Sequence, residues 1–386
     1  MMLADLRFSH ISAGFIAVLV GYSSSVAIVF QAAAASGVEG ALLNSWLLSL
    51  GLAMGLTSLC LSLMLKIPVL TAWSTPGAAL LALSLGDFSV NEASGIFIFA
   101  AALSLVLGLS GLLERIMKLI PPSLSNALLA GVLLPIGLDV FVHLQEQTLL
   151  VALMLVCYVL AKRYSPRYAI VLVLLCGLGL TWSLDLYSAV SFDYQLPKLI
   201  WTHPEFNIAG MIGVGIPLFL VTLSSQNITG LAVMRAKGYK PPTSVLLNVS
   251  SAMNLLLAPF GCFSIGLAAI TAAICMTEDA DENPGTRYLA SACAGVFYLL
   301  SAFAGLAIIL LFTASPPALV AALAGIALFA TIGNSMQAAF ESSSDREAAL
   351  VTFLVTASSF SFMGLSAPFW GLSLGLLLRA LRPNKR

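Results

Sequence analysis

The chain has very little charge for its length. Only 9% of its 386 residues are Asp, Glu, Lys or Arg, whereas 60% are hydrophobic. A soluble globular domain carries about a quarter charged residues, so this chain could not cover a surface in contact with water. Its 17 basic and 17 acidic residues cancel, which argues against a nucleic-acid partner. The composition therefore predicts an all-α polytopic membrane protein with the lipid bilayer as its surroundings.

The sequence also lacks the motifs of metal, disulfide and enzyme sites. Its six cysteines form no CxxC pair and no cluster with histidine, which argues against a zinc site or a disulfide framework. Nucleophile elbow, HExxH, P-loop and paired-carboxylate motifs are absent from it. We therefore predict no enzyme activity, no metal and no cofactor, and any ATP-driven step would need another subunit.

Apolar runs separated by short polar or Pro/Gly breaks predict fourteen membrane spans. The first seven are expected near 11–34, 41–65, 71–85, 93–113, 123–142, 149–161 and 168–186. The second seven are expected near 207–233, 242–257, 260–276, 288–312, 316–337, 348–362 and 368–381. A count of twelve or thirteen stays open, because several neighbouring runs nearly fuse.

The positions of the basic residues support a count of fourteen. If the N-terminus is cytoplasmic, every Lys and Arg except Lys198 falls at the cytoplasmic side of this arrangement. A count that was wrong by one span would reverse the pattern for all later loops. The predicted topology therefore has both termini in the cytoplasm. Since seven is an odd number, two sets of seven spans would have opposite orientations, as in inverted-repeat transporters.

Span 3 carries the signature of a broken helix. Pro68 and Pro76 prevent a full-length helix. Ser74 or Thr75 is a suitable N-cap, and Pro76 suits the first helical position. We expect an extended stretch followed by a half-helix that starts near the middle of the bilayer.

Span 10 repeats this pattern at the matching position of the second half. Pro259 and Gly261 interrupt it, and Ser264 is expected near the start of the second half-helix. Matched broken segments in two repeats are the best pointer from sequence to a transport site. The predicted architecture is thus 7+7 inverted repeats with two broken half-helices, spans 3 and 10.

The two half-helix starts predict an anion site. Each helix N-terminus has unsatisfied N–H groups and a partial positive charge of about half a unit. Trp73 and Phe263 flank the two starts and would offer flat apolar surface. An aromatic carboxylate fits both features. The alternative, that Pro and Gly are merely common in membrane helices and that Trp73 is a packing residue, stays open.

Polar side chains inside spans 1 and 8 add candidates. Tyr22 and the serines after it lie in span 1, and Gln226 and Asn227 lie in span 8. Buried amides are expected to face a cavity, although hydrogen bonding between helices is the alternative. The predicted substrate-binding residues are Tyr22, Trp73, Ser74, Thr75, Gln226, Asn227, Phe263 and Ser264.

Three further groups of residues have simpler interpretations. Asp139, one turn before His143, is a candidate proton relay, although an ordinary pair at the membrane surface is the stronger alternative. The acidic residues between 278 and 282 are expected to form a solvated loop. The GxxxG motifs at 51–55 and 371–375 are expected to be helix contacts.

Three stretches resemble signature sequences of the BenE benzoate/proton symporter family: 71–79 (TAWSTPGAA), 219–227 (FLVTLSSQN) and 266–275 (GLAAITAAIC). The family is similar in fold to the uracil/xanthine permeases and the sulfate/bicarbonate transporters. The resemblance implies a core domain of residues 1–120 and 207–314 (spans 1–4 and 8–11). It also implies a gate domain of residues 121–190 and 315–386 (spans 5–7 and 12–14, with the tail) and an outside linker at 191–206. The substrate would lie between the half-helices and move in an elevator-like cycle.

The resemblance also implies a function. The chain would import benzoate or a similar aromatic carboxylate with protons, in a bacterial inner membrane, and a homodimer is compatible with it. Nucleobase permeases carry acids where this chain has Gln226 and Phe263, which suits an anionic substrate but removes the obvious proton carriers. A weak acid could bring its own proton, or Asp139 or Glu92 could carry it. A nucleobase or inorganic anion as substrate, and an anion channel, stay open as alternatives.

Overall fold

The computed structural model describes residues 6–112, 121–188, 197–358 and 360–381. Its first elements are helices α1 (Phe8–Ala35) and α2 (Gly40–Leu65), strand β1 (Thr71–Trp73), and helices α3 (Thr75–Ser84), α4 (Val90–Ser110), α5 (Pro122–Glu146), α6 (Thr148–Tyr164) and α7 (Ala169–Ser183). Residues 113–120, with the basic residues Arg115 and Lys118, lie outside the described residues, as do linker residues 191–196 and the tail after residue 381.

The later elements begin with a long helix that contains two π-helical segments. These are α8 (Ile208–Ala236), α9 (Thr243–Leu257), β2 (Ile265–Leu267), α10 (Ile270–Cys275), α11 (Tyr288–Phe303), α12 (Gly305–Ala314), α13 (Pro317–Phe340), α14 (Arg346–Ala357), the short strands β3 (Ser361–Phe362) and β4 (Leu365–Ser366), and α15 (Ala367–Ala380). The π segments of α8 cover Met211–Gly215 and Leu223–Ile228.

The part of the chain that the structure describes contains seven helices long and apolar enough to cross a membrane. They are α1, α2, α4, α5, α8, α9 with the turn that follows it, and α13. Helices α3 and α7 are apolar but shorter. A mostly helical polytopic membrane protein is therefore confirmed, whereas the count of fourteen spans stays a prediction.

Glycines allow two helix pairs to pack at close range. A Cβ at Gly51 or Gly55 of α2 would lie 2.5 or 2.6 Å from side-chain atoms of α11. Gly371 and Gly375 of α15 lie against the side chains of Thr356 and Thr352 of α14. Both predicted GxxxG motifs are therefore helix contacts.

Strands β1 and β2 form an antiparallel ribbon in the buried interior. Trp73 is opposite Ile265 and Thr71 is opposite Leu267. Each strand is followed by a short helix, so both segments have the expected extended stretch and break. Gly261, at φ 99°, ends the turn before β2 in a backbone conformation that suits glycine.

The start of the second short helix differs from the prediction. Ser264 was expected near this start, but α10 begins at Ile270. The reason is the ribbon: the Ser264 carbonyl accepts the Ser74 N–H at 2.9 Å, and the Ala268 N–H donates to the Leu70 carbonyl at 2.8 Å. Residues 264–268 are therefore held extended and cannot enter a helix.

Candidate functional site

Amide side chains form hydrogen bonds with the backbone groups on the outer edge of β2, the edge that does not pair with β1. The side chain of Asn254 donates to the Ile265 carbonyl at 2.9 Å and accepts the Ile265 N–H at 2.8 Å. Asn227 accepts the Leu267 N–H at 3.1 Å. A strand edge in apolar surroundings leaves unpaired backbone groups unless side chains serve them. Asn227 is buried, and its position agrees with the alternative of hydrogen bonding between segments.

Other side chains contact the backbone groups on the outer edge of β1, the edge that does not pair with β2. Ser58 Oγ accepts the Thr71 N–H at 2.9 Å, and Met54 Sδ lies 3.0 Å from the Trp73 nitrogen. Gln226 Nε2 donates to the Trp73 carbonyl at 3.2 Å. The backbone of Trp73 is thus held from both α2 and α8.

Ser74, one of the two predicted candidates, is the N-cap of α3. Its Oγ accepts the Gly77 N–H at 3.0 Å. The hydroxyl of Thr222 in turn donates to Ser74 Oγ at 2.9 Å, and Ser264 Oγ donates to Thr222 Oγ1 at 3.2 Å. Ser74 and Ser264 are both buried, so their hydroxyl groups stabilise the start of α3 from the protein interior and not from the cavity.

A cavity of about 850 Å³ lies in front of the ribbon. One wall comes from α1, β1, α3, α8 and the beginning of α10, with one side chain of α11. The other wall comes from α5, α7, α13, the end of α6 at Lys162 and the turn that joins α6 to α7. Trp73, Thr75 and Gln226 line it, whereas Tyr22, Ser74, Asn227, Phe263 and Ser264 are not among its lining residues.

Three aromatic side chains pack together at the first wall, and two of them, Trp73 and Tyr298, line the cavity. The Trp73 indole N–H donates to Ser25 Oγ at 2.7 Å, which fixes the ring. Tyr22 packs edge-to-face on Trp73, with 4.6 Å between ring centroids. Tyr298 of α11 lies 6.1 Å from Tyr22 and lines the cavity. Tyr298 was not among the predicted residues, because which side chain of span 11 faces the cavity depends on the packing of distant helices.

Phe263 lies elsewhere. Its ring is 1% exposed and lies 6.4 Å from the ring of Trp46 and 6.3 Å from that of Phe97. These two residues belong to α2 and α4, so Phe263 faces the core behind the ribbon. Proximity in sequence to the break did not determine on which side of β2 the ring would point.

The second wall carries polar side chains that the sequence interpretation missed. Asn126 of α5 and Thr331, Asn334 and Ser335 of α13 line the cavity. Three- and four-residue spacing along α13 places its three residues on one helix face, and this signal was present in the sequence. Lys162 is the one charged side chain among the described lining residues. The cavity therefore suits an uncharged or anionic ligand with apolar surface.

The two candidate proton carriers are not among the lining residues of the cavity. Asp139 is 43% exposed and lies 3.7 Å from His143, which contacts Glu146 at 2.7 Å. Glu92 is the third helical residue of α4 and forms a reciprocal capping box with Ser89.

The acidic loop after α10 is not fully solvated as predicted. The side chain of Asp281 is 1% exposed and lies 2.8 Å from Nε2 of His10, which is completely buried. Burial would raise the pKa of Asp281, but hydrogen bonds from Thr286, the Asn283 N–H and His10, together with the charge of Arg7, lower it. Glu278, Asp279 and Glu282 of the same loop are exposed.

Comparison with known proteins agrees with these features. Residues 4–381 match the family model described as "Benzoate membrane transport protein" (BenE). The chain is 37% identical over 374 residues to the "Benzoate membrane transport protein" of Acinetobacter baylyi, covering 97% of this chain and 95% of that one. It is 44% identical over 365 residues to "Inner membrane protein YdcO" of Escherichia coli, covering 94% and 93% of the two chains.

Solved structures are similar in fold at low identity. SLC26A9 gives a TM-score of 0.65 at 15% identity, covering 98% of this chain and 66% of that chain. The transmembrane domain of the cyanobacterial bicarbonate transporter BicA gives 0.60 at 13% identity, covering 98% and 99%. By the match over nearly its whole length, the chain belongs to the BenE family of benzoate membrane transport proteins, a family of transporters rather than enzymes.

Proposed function

We propose that this protein is a secondary active transporter that imports benzoate or a similar aromatic carboxylate. The observation that carries the proposal is the cavity in front of the ribbon. It joins the start of α3 to the aromatic rings of Trp73 and Tyr298, and no acidic side chain is among its described lining residues. Family membership and the name of the Acinetobacter baylyi relative support benzoate as the substrate.

In this proposal the carboxylate binds at the first turn of α3. Thr75 begins this ten-residue helix, where its backbone N–H and the helix dipole favour an anion. Pro76 has no N–H, and the Gly77 N–H donates to Ser74 Oγ. The second half-helix, α10, has only six residues, so its dipole contribution is weaker. The ring of the substrate would lie against Trp73. Gln226 and Tyr22 hold Trp73, while Ser74, Asn227 and Ser264 support the ribbon and the helix start.

We extend the proposal to the transport cycle. The chain would have fourteen spans in two inverted sets of seven. The core domain (1–120 and 207–314) would move against the gate domain (121–190 and 315–386), and 191–206 would join the two repeats. What supports this is the origin of the two cavity walls, because nearly all lining residues of one wall belong to the first domain and those of the other to the second. The likeness to SLC26A9 and BicA in fold agrees with it.

The side on which the cavity opens follows from the predicted topology. Lys162 is an exposed lining residue in the last turn of α6, next to a loop expected in the cytoplasm. The cavity would then be open to the cytoplasm of a bacterium, with the chain in the inner membrane and both termini inside. Proton coupling and a homodimer belong to the same proposal, with Asp139, Glu92 or the acid's own proton as possible proton carriers.

The test is uptake of labelled benzoate into proteoliposomes with and without an inward proton gradient. We expect accumulation above equilibrium that a protonophore and excess unlabelled benzoate abolish. Vesicles without protein run in parallel, because the neutral acid crosses lipid unaided. Uptake equal to that of the empty vesicles would refute benzoate import. Competition by uracil, sulfate or bicarbonate instead of benzoate would identify a transporter of another substrate, and passive flux without accumulation would identify an anion channel.

A further inference from the structure

Helix α13 presents three polar side chains to the cavity from the second wall. Thr331, Asn334 and Ser335 line it, and Thr331 lies three and four residues before the other two, on one face of the helix. None of the three has a hydrogen-bond partner among the residues that the structure describes. Ser335 is only 4% exposed. A buried polar group without a partner is costly, so its presence at a cavity indicates that a ligand or water supplies the hydrogen bond.

The two hydroxyl groups on α13 differ from hydroxyl groups of the first wall. A Ser or Thr inside a helix either donates to the backbone carbonyl one turn earlier or points to polar surroundings. In the first wall, Ser25 Oγ donates to the Gly21 carbonyl and Ser224 Oγ donates to the Leu220 carbonyl, both at 2.8 Å. The hydroxyl groups on α13 make no such bond to a described residue, so they are free to contact a ligand.

The cavity has room for more than an unsubstituted ring. Its volume of about 850 Å³ is large within the range of about 300–1,000 Å³ that is typical of small-molecule sites. Ala327 and Ala338 of α13 also line it, and their small side chains leave space beside the hydroxyl groups. A ligand with its carboxylate at Thr75 and its ring on Trp73 turns its remaining edge towards the second wall. A substituent on that edge can therefore reach α13.

The groups on α13 determine which kind of substituent they can bind. A positively charged substituent would be buried without a counter-charge, because no acidic side chain is among the described lining residues. A second carboxylate would need Lys162, the one charged side chain of the described lining, which lies on α6 and not on α13. A hydroxyl group is uncharged and both donates and accepts hydrogen bonds, as do the side chains of Thr331 and Ser335. The chemistry of this wall therefore fits a neutral hydroxyl substituent.

We propose that Thr331 and Ser335 form a subsite for a ring hydroxyl group, so that the preferred substrates are hydroxylated aromatic carboxylates. The hydroxyl group of the substrate exchanges hydrogen bonds with the two side chains, while its carboxylate binds at the start of α3 and its ring lies on Trp73. Because the subsite belongs to the second wall and the carboxylate site to the first, such a substrate contacts both walls at once. The subsite rests on the proposed function, since it requires an aromatic carboxylate in the cavity.

The first test compares ligands of nearly equal shape that differ in hydrogen bonding. Purified protein is titrated with 3- and 4-hydroxybenzoate and with 3- and 4-methylbenzoate, each in competition with labelled benzoate. The 2-isomer is left out, because its hydroxyl bonds its own carboxylate. A neutral hydrogen bond to a group that otherwise has no partner changes affinity by about threefold to tenfold, so at least one hydroxy acid should bind that much more tightly than its methyl counterpart. A ratio below about threefold for both pairs would overturn the proposal.

The second test removes the subsite. Thr331→Val with Ser335→Ala deletes both hydroxyl groups and costs the folded protein no hydrogen bond to a described residue. We expect the preference for the hydroxy acid over the methyl acid to fall below about twofold, while benzoate affinity stays within about twofold of the wild type. Binding of labelled benzoate also shows that the variant is folded. A double variant that keeps the wild-type preference would overturn the assignment of the subsite to α13.

Ser224→Ala is the matched control, because Ser224 also lines the cavity but its hydroxyl already donates to the Leu220 carbonyl. It should keep the wild-type preference for the hydroxy acid. The first test needs only the wild-type protein, so it decides the question if the double variant does not fold. If benzoate binds and the hydroxy acids gain nothing, the subsite fails and the proposed function stands. If no aromatic carboxylate binds, the proposed function fails and the subsite fails with it.

Discussion

At the scale of single residues, Trp73 is the side chain proposed to lie against the ring of the substrate. Its ring lines the cavity, and its position is fixed by Ser25 and Gln226. Trp73→Ala should weaken benzoate binding by at least about tenfold, because a buried aromatic contact contributes about 1.5–3 kcal/mol. Equilibrium binding of labelled benzoate to purified protein measures this. Trp182→Ala is the control, since Trp182 is 79% exposed on α7, and equal affinities of the two variants would contradict the site.

A substitution at Asn254 would test whether amide side chains supply the hydrogen bonds that a neighbouring strand would otherwise give to β2. Asn254→Leu removes both hydrogen bonds to Ile265 and leaves its N–H and carbonyl buried without partners. We expect the free energy of unfolding to fall by about 2–6 kcal/mol, since each of the two buried unsatisfied groups costs about 1–3 kcal/mol. Asn248→Leu, on the same helix, should cost less, because Asn248 Oδ1 already has no partner. Thermal unfolding in detergent compares the two variants. Similar unfolding midpoints would contradict the role of Asn254 at the edge of β2.

Asp281 should make stability depend on acid. Its pKa is lower in the folded protein than in the unfolded chain, so its stabilising effect is complete above the unfolded pKa and is lost as pH falls through the folded pKa. Asp281→Asn should therefore destabilise the protein at neutral pH, and its difference from the wild type should shrink below about pH 4. Thermal unfolding midpoints at several pH values measure this. Glu278→Gln, at an exposed site in the same loop, should match the wild type throughout.

At the scale of elements, local signals and long-range pairing differ in how well they could be predicted. The break before α3 followed from Pro68, Ser74 and Pro76, which act through their own backbone neighbours. The start of α10 did not follow, because pairing with residues nearly 200 positions away keeps 264–268 extended. The direction of Phe263 did not follow either, because it depends on how the segment before β2 packs against Trp46 of α2 and Phe97 of α4.

Gly266 tests how closely α8 packs on the ribbon. A Cβ there would lie 3.0 Å from Asn227 Oδ1 and 3.1 Å from Gln226 Cβ. Gly266→Val should displace both amides, release Trp73, and reduce benzoate affinity by about tenfold or more, as for loss of the aromatic contact itself. Gly179→Val is the control, because a Cβ at Gly179 meets open space. Wild-type affinity in Gly266→Val would show that the ribbon tolerates displacement of α8.

At the scale of the whole molecule, composition was sufficient to predict a polytopic membrane protein. The prediction of a transporter needed the two broken segments and the resemblance to the BenE family. The cavity was only half predicted. The segments of its first wall are marked in the sequence by Pro, Gly and aromatic residues. Thr331, Asn334 and Ser335 of the second wall become part of a site only because α13 lies opposite α3. That juxtaposition depends on the packing of distant helices, which no local pattern specifies.

The side of access to the cavity can be measured with a single cysteine. Asn334 is an exposed lining residue of the cavity, so Asn334→Cys, in a background without the six native cysteines, should react with a membrane-impermeant maleimide. We expect labelling in inside-out vesicles and protection by benzoate. Val156→Cys is the control, because Val156 is 53% exposed on the apolar surface of α6 and should face lipid. Labelling from the outside only would reverse the proposed orientation.

The pairing of β1 with β2 has a consequence for biosynthesis. Trp73 and its partner Ile265 are 192 positions apart, and a ribosome adds about 5–20 residues per second, so β1 waits about 10–40 s for its partner strand. During this interval its outer edge already has Ser58 and Met54 of α2, which is made first. The inner edge at Ala72 has no strand to pair with. The nascent chain must therefore stay shielded from lipid at this point until its second half has been inserted.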